Sequence, residues 1–232
     1  DVLSVLGRTD DPRLGLEAVG TVIATAPDVR HVAGGDSVIA FGPGALASEA
    51  TFAANRVVRR PPDLDIDTAA SVAIAGLTAW YGLHDLAAIK PGMRVLVHAG
   101  AGGVGGMAIQ IARLAGARVF ATASRGKQRL ALLNGAEAIG DSRSLDFVEA
   151  ARRWCPEGFD IVLNALGPEI ADASARLLRP DGVFLEIGNA PNATGVRRHF
   201  TYDLDQAIGR ESGWFIDRMG TLLALLRAGK LA

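Results

Sequence analysis

The sequence has almost no cysteine, since Cys155 is the only one in 232 residues. This excludes an internal disulfide and a zinc site built from several cysteines, and we expect a reducing, cytoplasmic compartment. Aromatic residues make up only 6% of the chain. No apolar run approaches the roughly 20 residues that a membrane-spanning helix requires, so the sequence does not indicate a membrane protein.

Neither sign of charge is in excess, because 24 Lys and Arg residues balance 25 Asp and Glu residues. The balance excludes binding that depends on a surplus of basic charge, such as binding to nucleic acid or to an anionic membrane. The hydrophobic content of 49% is too high for a disordered chain. A chain of this length can bury a sizeable core, so the composition indicates a globular protein of one large or two small domains.

The first part of the chain has the pattern of short strands and turns. Runs rich in β-branched and small apolar residues predict strands at residues 18–25, 36–41 and 51–58. Apolar residues at helical spacing then predict a helix over residues 67–86. Because residues 1–6 have the pattern of the interior of an element, we expect the chain to be a fragment.

After Lys90-Pro91-Gly92 the pattern alternates between strand and helix. The predicted strands are residues 93–99, 118–123, 138–139, 159–164 and 182–188, and the predicted helices are residues 104–115, 127–134, 146–153 and 170–178. Such alternation is typical of a doubly wound parallel sheet with helices on both faces, an α/β fold. We therefore expect a β-rich domain over residues 1–75 and an α/β domain over residues 76–232.

The segment Gly100-Ala101-Gly102-Gly103-Val104-Gly105 lies between a predicted strand and an amphipathic helix. Glycine permits the tight turn, a close approach of the backbone to a pyrophosphate, and close packing of the helix on the strand. The helix N-terminus then offers N–H groups and a positive dipole end to the anion. Because strand, loop and helix occur in the required order, we predict a dinucleotide site at Gly100, Gly102, Gly103, Val104 and Gly105.

The next strand ends without the acidic residue that binds the ribose hydroxyl of NAD. Ser124, Arg125 and Lys127 stand there instead, and Arg143 follows the strand after it. A hydroxyl group and cations suit a 2′-phosphate, so the sequence favours NADPH over NADH. The alternative is that Arg125 and Lys127 belong to a solvated helix start.

Two further candidate cofactor contacts lie at the carboxyl ends of predicted strands. Asn164 ends the strand at residues 159–164, and Gly188 ends the strand at residues 182–188. Ligands of open α/β sheets bind at these ends. Simple strand-end turns are the alternative interpretation of both residues.

Several motifs that occur in order along the whole chain resemble those of one enzyme family. They are Asp1-Val2-Leu3, Leu14-Gly15-Leu16-Glu17-Ala18-Val19-Gly20, Leu77-Thr78-Ala79-Trp80-Tyr81-Gly82-Leu83, the segment from Val97 through the glycine loop, FATAS at 120–124, SRSLDF at 142–147, VLNAL at 162–166 and Tyr202-Asp203-Leu204. With these motifs the sequence resembles the medium-chain dehydrogenases/reductases. More narrowly, it resembles the enoyl reductase domains of modular polyketide synthases and animal-type fatty acid synthases.

This resemblance implies a partial GroES-like domain without its first strands, followed by a Rossmann domain that binds NADPH and lacks its C-terminal return segment. It implies hydride transfer to the β-carbon of an α,β-unsaturated thioester on the phosphopantetheine arm of an acyl carrier protein. Neighbouring synthase domains and a homodimer are further partners that it implies. It also makes Thr78 a contact of the nicotinamide amide.

Zinc alcohol dehydrogenases share this fold, and they carry a His before Glu at the position of Leu16-Glu17. With Leu16 in that place and a single cysteine in the chain, the tetrahedral ligand set cannot be assembled. We therefore expect no catalytic zinc in this part of the protein.

The resemblance places the groups that protonate the substrate at two positions. The family's Asp is kept as Asp203, although an Asp there is also typical of a helix cap or a surface acid. The family's Lys is replaced by Asn189, which hydrogen-bonds but cannot donate a proton as an ammonium does. Protonation then comes from an upstream Tyr or from water, or the substrate differs, or the domain is inactive.

The Gly188-Asn189 pair is also similar to that of the quinone oxidoreductase branch. The first hypothesis is an NADPH-dependent enoyl-thioester reductase within a synthase. The alternatives are a free-standing NADPH quinone or enone oxidoreductase, and a non-catalytic NADPH-binding reductase domain.

Overall fold

The structure is a computed structural model that describes residue 5 and residues 12–188, 193, 195–210 and 213–232. The chain divides into two units, the first formed by Asp1–Leu77 with Ile208–Ala232 and the second by Thr78–Ala207. The boundary expected at residue 75 lies next to the first division. Residues 208–232, which were expected in the second domain, group with the first unit.

The first unit contains a small antiparallel sheet. Its strands are β1 (Glu17–Thr21), β2 (Ser37–Phe41) and β3 (Val57–Arg59), paired in the order β1-β2-β3. Val38 and Ala40 of β2 and Val57 of β3 pack with Val32 in one buried apolar cluster. The β-rich character predicted for this part of the chain is therefore present.

The predicted strand at residues 51–58 is wrong over most of its length. A short 3-10 helix occupies Ala54–Arg56, and only Val57–Arg59 forms a strand. Alanine and asparagine at positions 53–55 fit poorly on a pleated surface, so the strand begins only at the β-branched pair Val57-Val58.

The helices of the described residues are α1 (Ile66–Trp80), α2 (Gly103–Leu114), α3 (Gln128–Leu133), α4 (Phe147–Trp154), α5 (Pro168–Ala175), α6 (Leu204–Arg210) and α7 (Trp214–Arg227). The helix predicted at residues 67–86 is found as α1 with a π-helical continuation at Tyr81–Leu86. The helix predicted at residues 170–178 is too long, because a strand already begins at Leu178. None of these helices, within the described part of the chain, is long and apolar enough to cross a bilayer.

The second unit is built on a six-stranded parallel sheet. Its strands are β4 (Arg94–Val97), β5 (Arg118–Ala123), β6 (Ala138–Asp141), β7 (Phe159–Asn164), β8 (Leu178–Ile187) and β9 (Arg198–Tyr202). All pairings are parallel, in the order β6-β5-β4-β7-β8-β9. The predicted parallel α/β fold is confirmed, and β5 and β7 have the predicted bounds.

Strand β9 is missing from the sequence prediction. Its residues read Arg-His-Phe-Thr-Tyr, without the continuous apolar run of a strand covered on both faces. In the structure β9 pairs only with β8 and forms an edge of the sheet. Its lower apolar content matches its burial, because Arg198 is exposed, the next three residues are only partly buried, and Tyr202 alone of the five is buried.

Helix α7 packs within the first unit. The ring of Phe215 stacks on that of Phe41, with 6.2 Å between their centroids. A Cβ added at Gly76 of α1 would lie 3.0 Å from Leu222 Cδ1. These contacts explain why residues 208–232 group with the first unit.

His98 directly follows β4 and is buried in the second unit, with 2% of its surface exposed. Ser174 Oγ donates to the carbonyl of Ile170 at 2.7 Å, so His98 Nε2 donates to Ser174 Oγ at 2.7 Å. His98 Nδ1 then accepts from Thr122 Oγ1 at 2.9 Å. The neutral ring joins β4 to β5 and α5, which is a structural role.

Burial lowers the pKa of His98 to about 3, whereas an unfolded chain has a His pKa of about 6.5. The unfolded chain binds more protons between these values, so the stability linked to His98 is complete above the unfolded pKa and is lost as the pH falls. We expect the free energy of unfolding to decrease by up to about 1.4 kcal/mol per pH unit in this window. Urea denaturation at a series of pH values measures this slope.

His98→Gln removes the titrating ring and should reduce the slope. His31→Gln is the matched control, because His31 is exposed, and it should leave the slope unchanged. Equal slopes for the wild-type protein and the His98 variant would contradict this role.

Candidate functional site

The glycine loop between β4 and α2 holds the helix against the strand at very short range. A Cβ added at Gly105 would lie 2.2 Å from the carbonyl oxygen of Ala99, and one at Gly100 would lie 3.0 Å from Ala121 Cβ. Ala99 itself has a positive φ of 51°, which is uncommon for alanine. Its carbonyl accepts the N–H of Gly102 at 2.8 Å. Glycine is therefore required here by packing.

The N-terminus of α2 offers backbone donors to a ligand. Gly102 is its N-cap and supplies no side-chain cap, and the first intrahelical bond runs from the N–H of Gly106 to the carbonyl of Gly102. Helix geometry leaves the N–H groups of Gly103, Val104 and Gly105 without an intrahelical acceptor. Together with the positive end of the helix dipole, these groups fit the pyrophosphate of a dinucleotide.

The glycine loop follows β4, and after β4 the chain adds strands first on one side of the sheet and then on the other. The chain moves from β4 to β5 and β6 on one side, and then returns to β7, β8 and β9 on the other. Ligands of open α/β sheets bind outside the carboxyl ends of the strands at such a switch point. The predicted residues Asn164 and Gly188 lie at or just after the carboxyl ends of β7 and β8.

Beyond the end of β5, the structure brings Arg125 and Arg143 to one acidic residue. Arg125 Nε donates to Asp141 Oδ2 at 3.0 Å, and the backbone N–H of Arg143 donates to Asp141 Oδ1 at 3.0 Å. The bond from Arg143 and the Arg125 guanidinium lower the pKa of Asp141. The Arg125 side chain is 84% exposed, and Ser124 and Lys127 lie in the same turn.

Asp141 was not identified from the sequence. The signal was its place at the end of β6, in register with Ala123 at the end of β5. Its carboxylate accepts the Nε–H of Arg125. No acidic residue follows β5 directly, but Asp141 at the end of the neighbouring strand β6 lies close by and pairs with Arg125.

Asn164 is completely buried, and its amide is committed to protein groups. Its Nδ2 donates to the carbonyl of Leu166 at 2.9 Å and to Glu186 Oε1 at 3.2 Å, and its Oδ1 accepts the N–H of Leu166 at 3.2 Å. The side chain therefore fixes the turn after β7. Any contact of this segment with a cofactor would come from the turn that Asn164 shapes.

The end of β9 is tied to the end of α1. Tyr202 Oη donates to the carbonyl of Thr78 at 3.1 Å, and the N–H of Gly188 donates to the carbonyl of Tyr202 at 3.2 Å. Burial raises the pKa of Tyr202. Thr78 and Gly188, both predicted as cofactor contacts, are thereby joined through one tyrosine, and Asp203 follows it directly.

Asp203 is partly buried at the start of the segment that enters α6. Asn189, the second candidate for protonation, lies outside the described residues, as does the motif Asp1-Val2-Leu3. Gly188 has a φ of +134°, a conformation that side chains rarely adopt.

In the first unit, Leu16 and Glu17 occupy the position at which zinc alcohol dehydrogenases carry a His before Glu. Glu17 Oε2 accepts the N–H of Ile74 at 2.8 Å, and burial raises the pKa of this carboxyl while that bond opposes the shift. Leu16 is 44% exposed beside it. A cavity of 310 Å³ lies against these residues and Gly15, Ala45 and Leu46. Within the described residues, no three His, Cys, Asp or Glu side chains are grouped as a metal site.

The chain is similar in sequence to a dehydrogenase family and to parts of polyketide synthases. Residues 103–212 match the protein family described as zinc-binding dehydrogenase. The chain is 47% identical over 192 residues to the pikromycin polyketide synthase component PikAII of Streptomyces venezuelae, a match that covers 81% of this chain and 5% of that protein. The chain spans only 5% to 14% of the first curated relatives that it matches.

Solved structures share the whole arrangement. The CurK enoyl reductase superposes with a TM-score of 0.90 at 36% identity, covering 100% of this chain and 76% of that one. The Escherichia coli quinone oxidoreductase complexed with NADPH superposes with a TM-score of 0.85 at 27% identity, covering 94% of this chain and 71% of that one. The likeness therefore extends over both units of the chain.

Gly105→Ala should weaken NADPH binding. The added Cβ would meet the carbonyl oxygen of Ala99 at 2.2 Å, so α2 has to move away from β4 and its donors shift. We expect the dissociation constant for NADPH to rise by at least about tenfold, as measured by titration of NADPH fluorescence.

Gly220→Ala is the matched control for this change. Gly220 lies in α7, and an added Cβ meets nothing within 4 Å, so affinity should stay the same while the helix gains about 0.5–1 kcal/mol. Unchanged NADPH affinity in a folded Gly105 variant would contradict the role given to the loop.

Proposed function

This chain belongs to the medium-chain dehydrogenase/reductase superfamily, and from that premise we propose that it is an NADPH-dependent enoyl-thioester reductase of a polyketide synthase. The observation that carries the proposal is the glycine loop at the switch point of the sheet. The 36% identity to the CurK enoyl reductase, over the full length of this chain, supports it. The match to a polyketide synthase component supports the same assignment.

NADPH is the cofactor that the residues around β5 and β6 fit best. Arg125, Lys127 and Arg143 are exposed cations at these strand ends, and Ser124 adds a hydroxyl group. Asp141 offsets the charge of Arg125 with which it pairs, and Lys127 and Arg143 add further positive charge. A structural relative complexed with NADPH supports the choice.

NADPH supplies the hydride for the β-carbon of the substrate when it is bound. The chain's own residues would hold it by the N–H groups at the start of α2 and by the segments that follow β7 and β8. Protonation at the α-carbon is assigned to the neighbourhood of Asp203 and Asn189. The carboxyl group of Asp203 is of the type that transfers protons, and an amide such as that of Asn189 can orient an oxygen by hydrogen bonding.

The substrate would arrive on the phosphopantetheine arm of an acyl carrier protein. This follows from the relatives, which are components of much longer polyketide synthases. Neighbouring synthase domains in the same polypeptide, in the reducing cytoplasm, are the partners that this placement requires. Zinc has no part in the proposed reaction, because Leu16 stands beside Glu17 where zinc enzymes place a ligand.

A quinone or enone oxidoreductase is the second candidate. It is favoured by the NADPH complex of a quinone oxidoreductase at a TM-score of 0.85. The Gly188-Asn189 sequence supports it as well, because the expected lysine is absent. Both candidates use the same cofactor site and differ in whether the acceptor is tethered.

Arg125→Ala should change the cofactor preference. Loss of a charge-assisted hydrogen bond to the 2′-phosphate should raise the dissociation constant for NADPH by about 10- to 100-fold, with little change for NADH. Arg152→Ala is the control, because Arg152 is an exposed arginine on α4 that pairs with Glu149. An equal loss of affinity for both cofactors would argue against a 2′-phosphate contact.

The reductase activity is tested with the complete gene product. NADPH absorbance is followed with crotonyl-pantetheine and, in parallel, with a simple quinone. We expect oxidation that depends on the thioester, and a fall in kcat of about 100-fold or more in Asp203→Ala, while Asn189→Lys keeps or raises the rate.

Asp181→Ala is the control carboxylate, since it is exposed in the amino-terminal part of β8, and it should behave as the wild-type protein. Turnover of quinone alone would favour the second candidate. NADPH binding with neither activity would leave a non-catalytic reductase domain and would refute both.

A further inference from the structure

A buried carboxylate at the carboxyl end of β8 joins three strands of the second unit. Glu186 is only 1% exposed. Its Oε1 accepts from Asn164 Nδ2 of β7 at 3.2 Å, and its Oε2 accepts from His199 Nε2 of β9 at 2.8 Å. The sequence offers one sign of it, because Glu186 is the charged residue within the apolar run from Val183 to Ile187.

We propose that Glu186 is a positioning residue, which holds the turn after β7 and the end of β9 in the geometry that the reductase needs. Through Asn164 it fixes the turn to Leu166, next to the predicted cofactor site. Through His199 it fixes the strand that leads to Tyr202 and Asp203. The proposal rests on the proposed reductase function, because the turn after β7 and the end of β9 are the segments that contribute to the proposed site.

The cost of burying Glu186 indicates that it is there for more than packing. A carboxylate in the protein interior is strongly destabilising unless hydrogen-bond donors compensate for it. An apolar residue of similar volume would satisfy a parallel β-strand without this cost. In the structure the compensation comes from two neighbouring strands, and the His199 side chain is itself only 16% exposed.

The register of β8 and β9 shows what the bond to His199 controls. Glu186 pairs with Thr201, and Ile187 pairs with Tyr202. The carboxylate therefore reaches back along β9 to His199, whose ring also meets that of Phe184 edge-on at 5.3 Å between centroids. This diagonal bond resists sliding of the edge strand, so the position of Asp203 after β9 is fixed relative to Gly188 after β8.

The test compares Glu186→Ala with Glu186→Gln in the complete gene product. Alanine removes both bonds, whereas glutamine keeps an acceptor for Asn164 and places an amide opposite His199. We expect Glu186→Ala to raise the dissociation constant for NADPH by about tenfold and to lower kcat by roughly 10- to 100-fold, with a smaller change in KM for crotonyl-pantetheine. Glu186→Gln should restore most of both.

His199→Gln and the double variant Glu186→Ala/His199→Gln complete the cycle. If His199 acts through Glu186, the double variant should be no worse than Glu186→Ala in kcat. Glu137→Gln is the control, because Glu137 is an exposed carboxylate paired with Arg118 at the opposite edge of the sheet.

Two results would overturn the proposal. One is a folded Glu186→Ala protein with wild-type NADPH affinity and wild-type kcat. The other is a Glu186→Gln protein as impaired as the alanine variant, which would show that no positioning is restored. If the wild-type protein binds NADPH but reduces no thioester, the reductase function fails, and the NADPH affinities of the variants still decide the role of Glu186.

Discussion

The close approach of α2 to the end of β4 determines where the rest of the site can lie. A Cβ at Gly105 would overlap the Ala99 carbonyl, and a Cβ at Gly100 would lie in tight contact with Ala121 of β5. The helix N-terminus is therefore fixed against two central strands. In the proposed function, a dinucleotide bound at this N-terminus would extend over the carboxyl ends of the strands on both sides.

A site at the carboxyl ends of the strands of a parallel sheet requires polar groups near an otherwise apolar interior. The second unit meets this requirement with two hydrogen-bonded clusters, one around His98 with Thr122 and Ser174, and one around Glu186 with Asn164 and His199. Buried polar groups are tolerated when they are paired. Because each cluster links neighbouring elements, the polar groups also fix the strand ends that carry the loops.

The sequence was informative where a local pattern determines the structure. The central strands β5 and β7 and the glycine loop follow from continuous apolar runs and from strand–loop–helix order. The edge strand β9 could not be predicted, because its partial burial needs no apolar run. Residue pairs distant in sequence were equally invisible: neither the contact of Arg125 with Asp141 nor that of Glu186 with His199 follows from spacing, since both depend on strand register.

The hydrogen bonds around Tyr202 limit the choice of proton donor in the proposed reaction. In the proposed reductase, a phenol near the proposed cofactor site would be a candidate acid, and Tyr202 is hydrogen-bonded to both Thr78 and Gly188. However, the Tyr202 hydroxyl already donates its hydrogen to the Thr78 carbonyl, and burial raises the pKa of Tyr202. The phenol therefore stays protonated and keeps this hydrogen bond. The residue that follows it is placed differently. Asp203 follows β9 directly and is partly exposed, so under the proposed function it is a better candidate than Tyr202 for the protonation step.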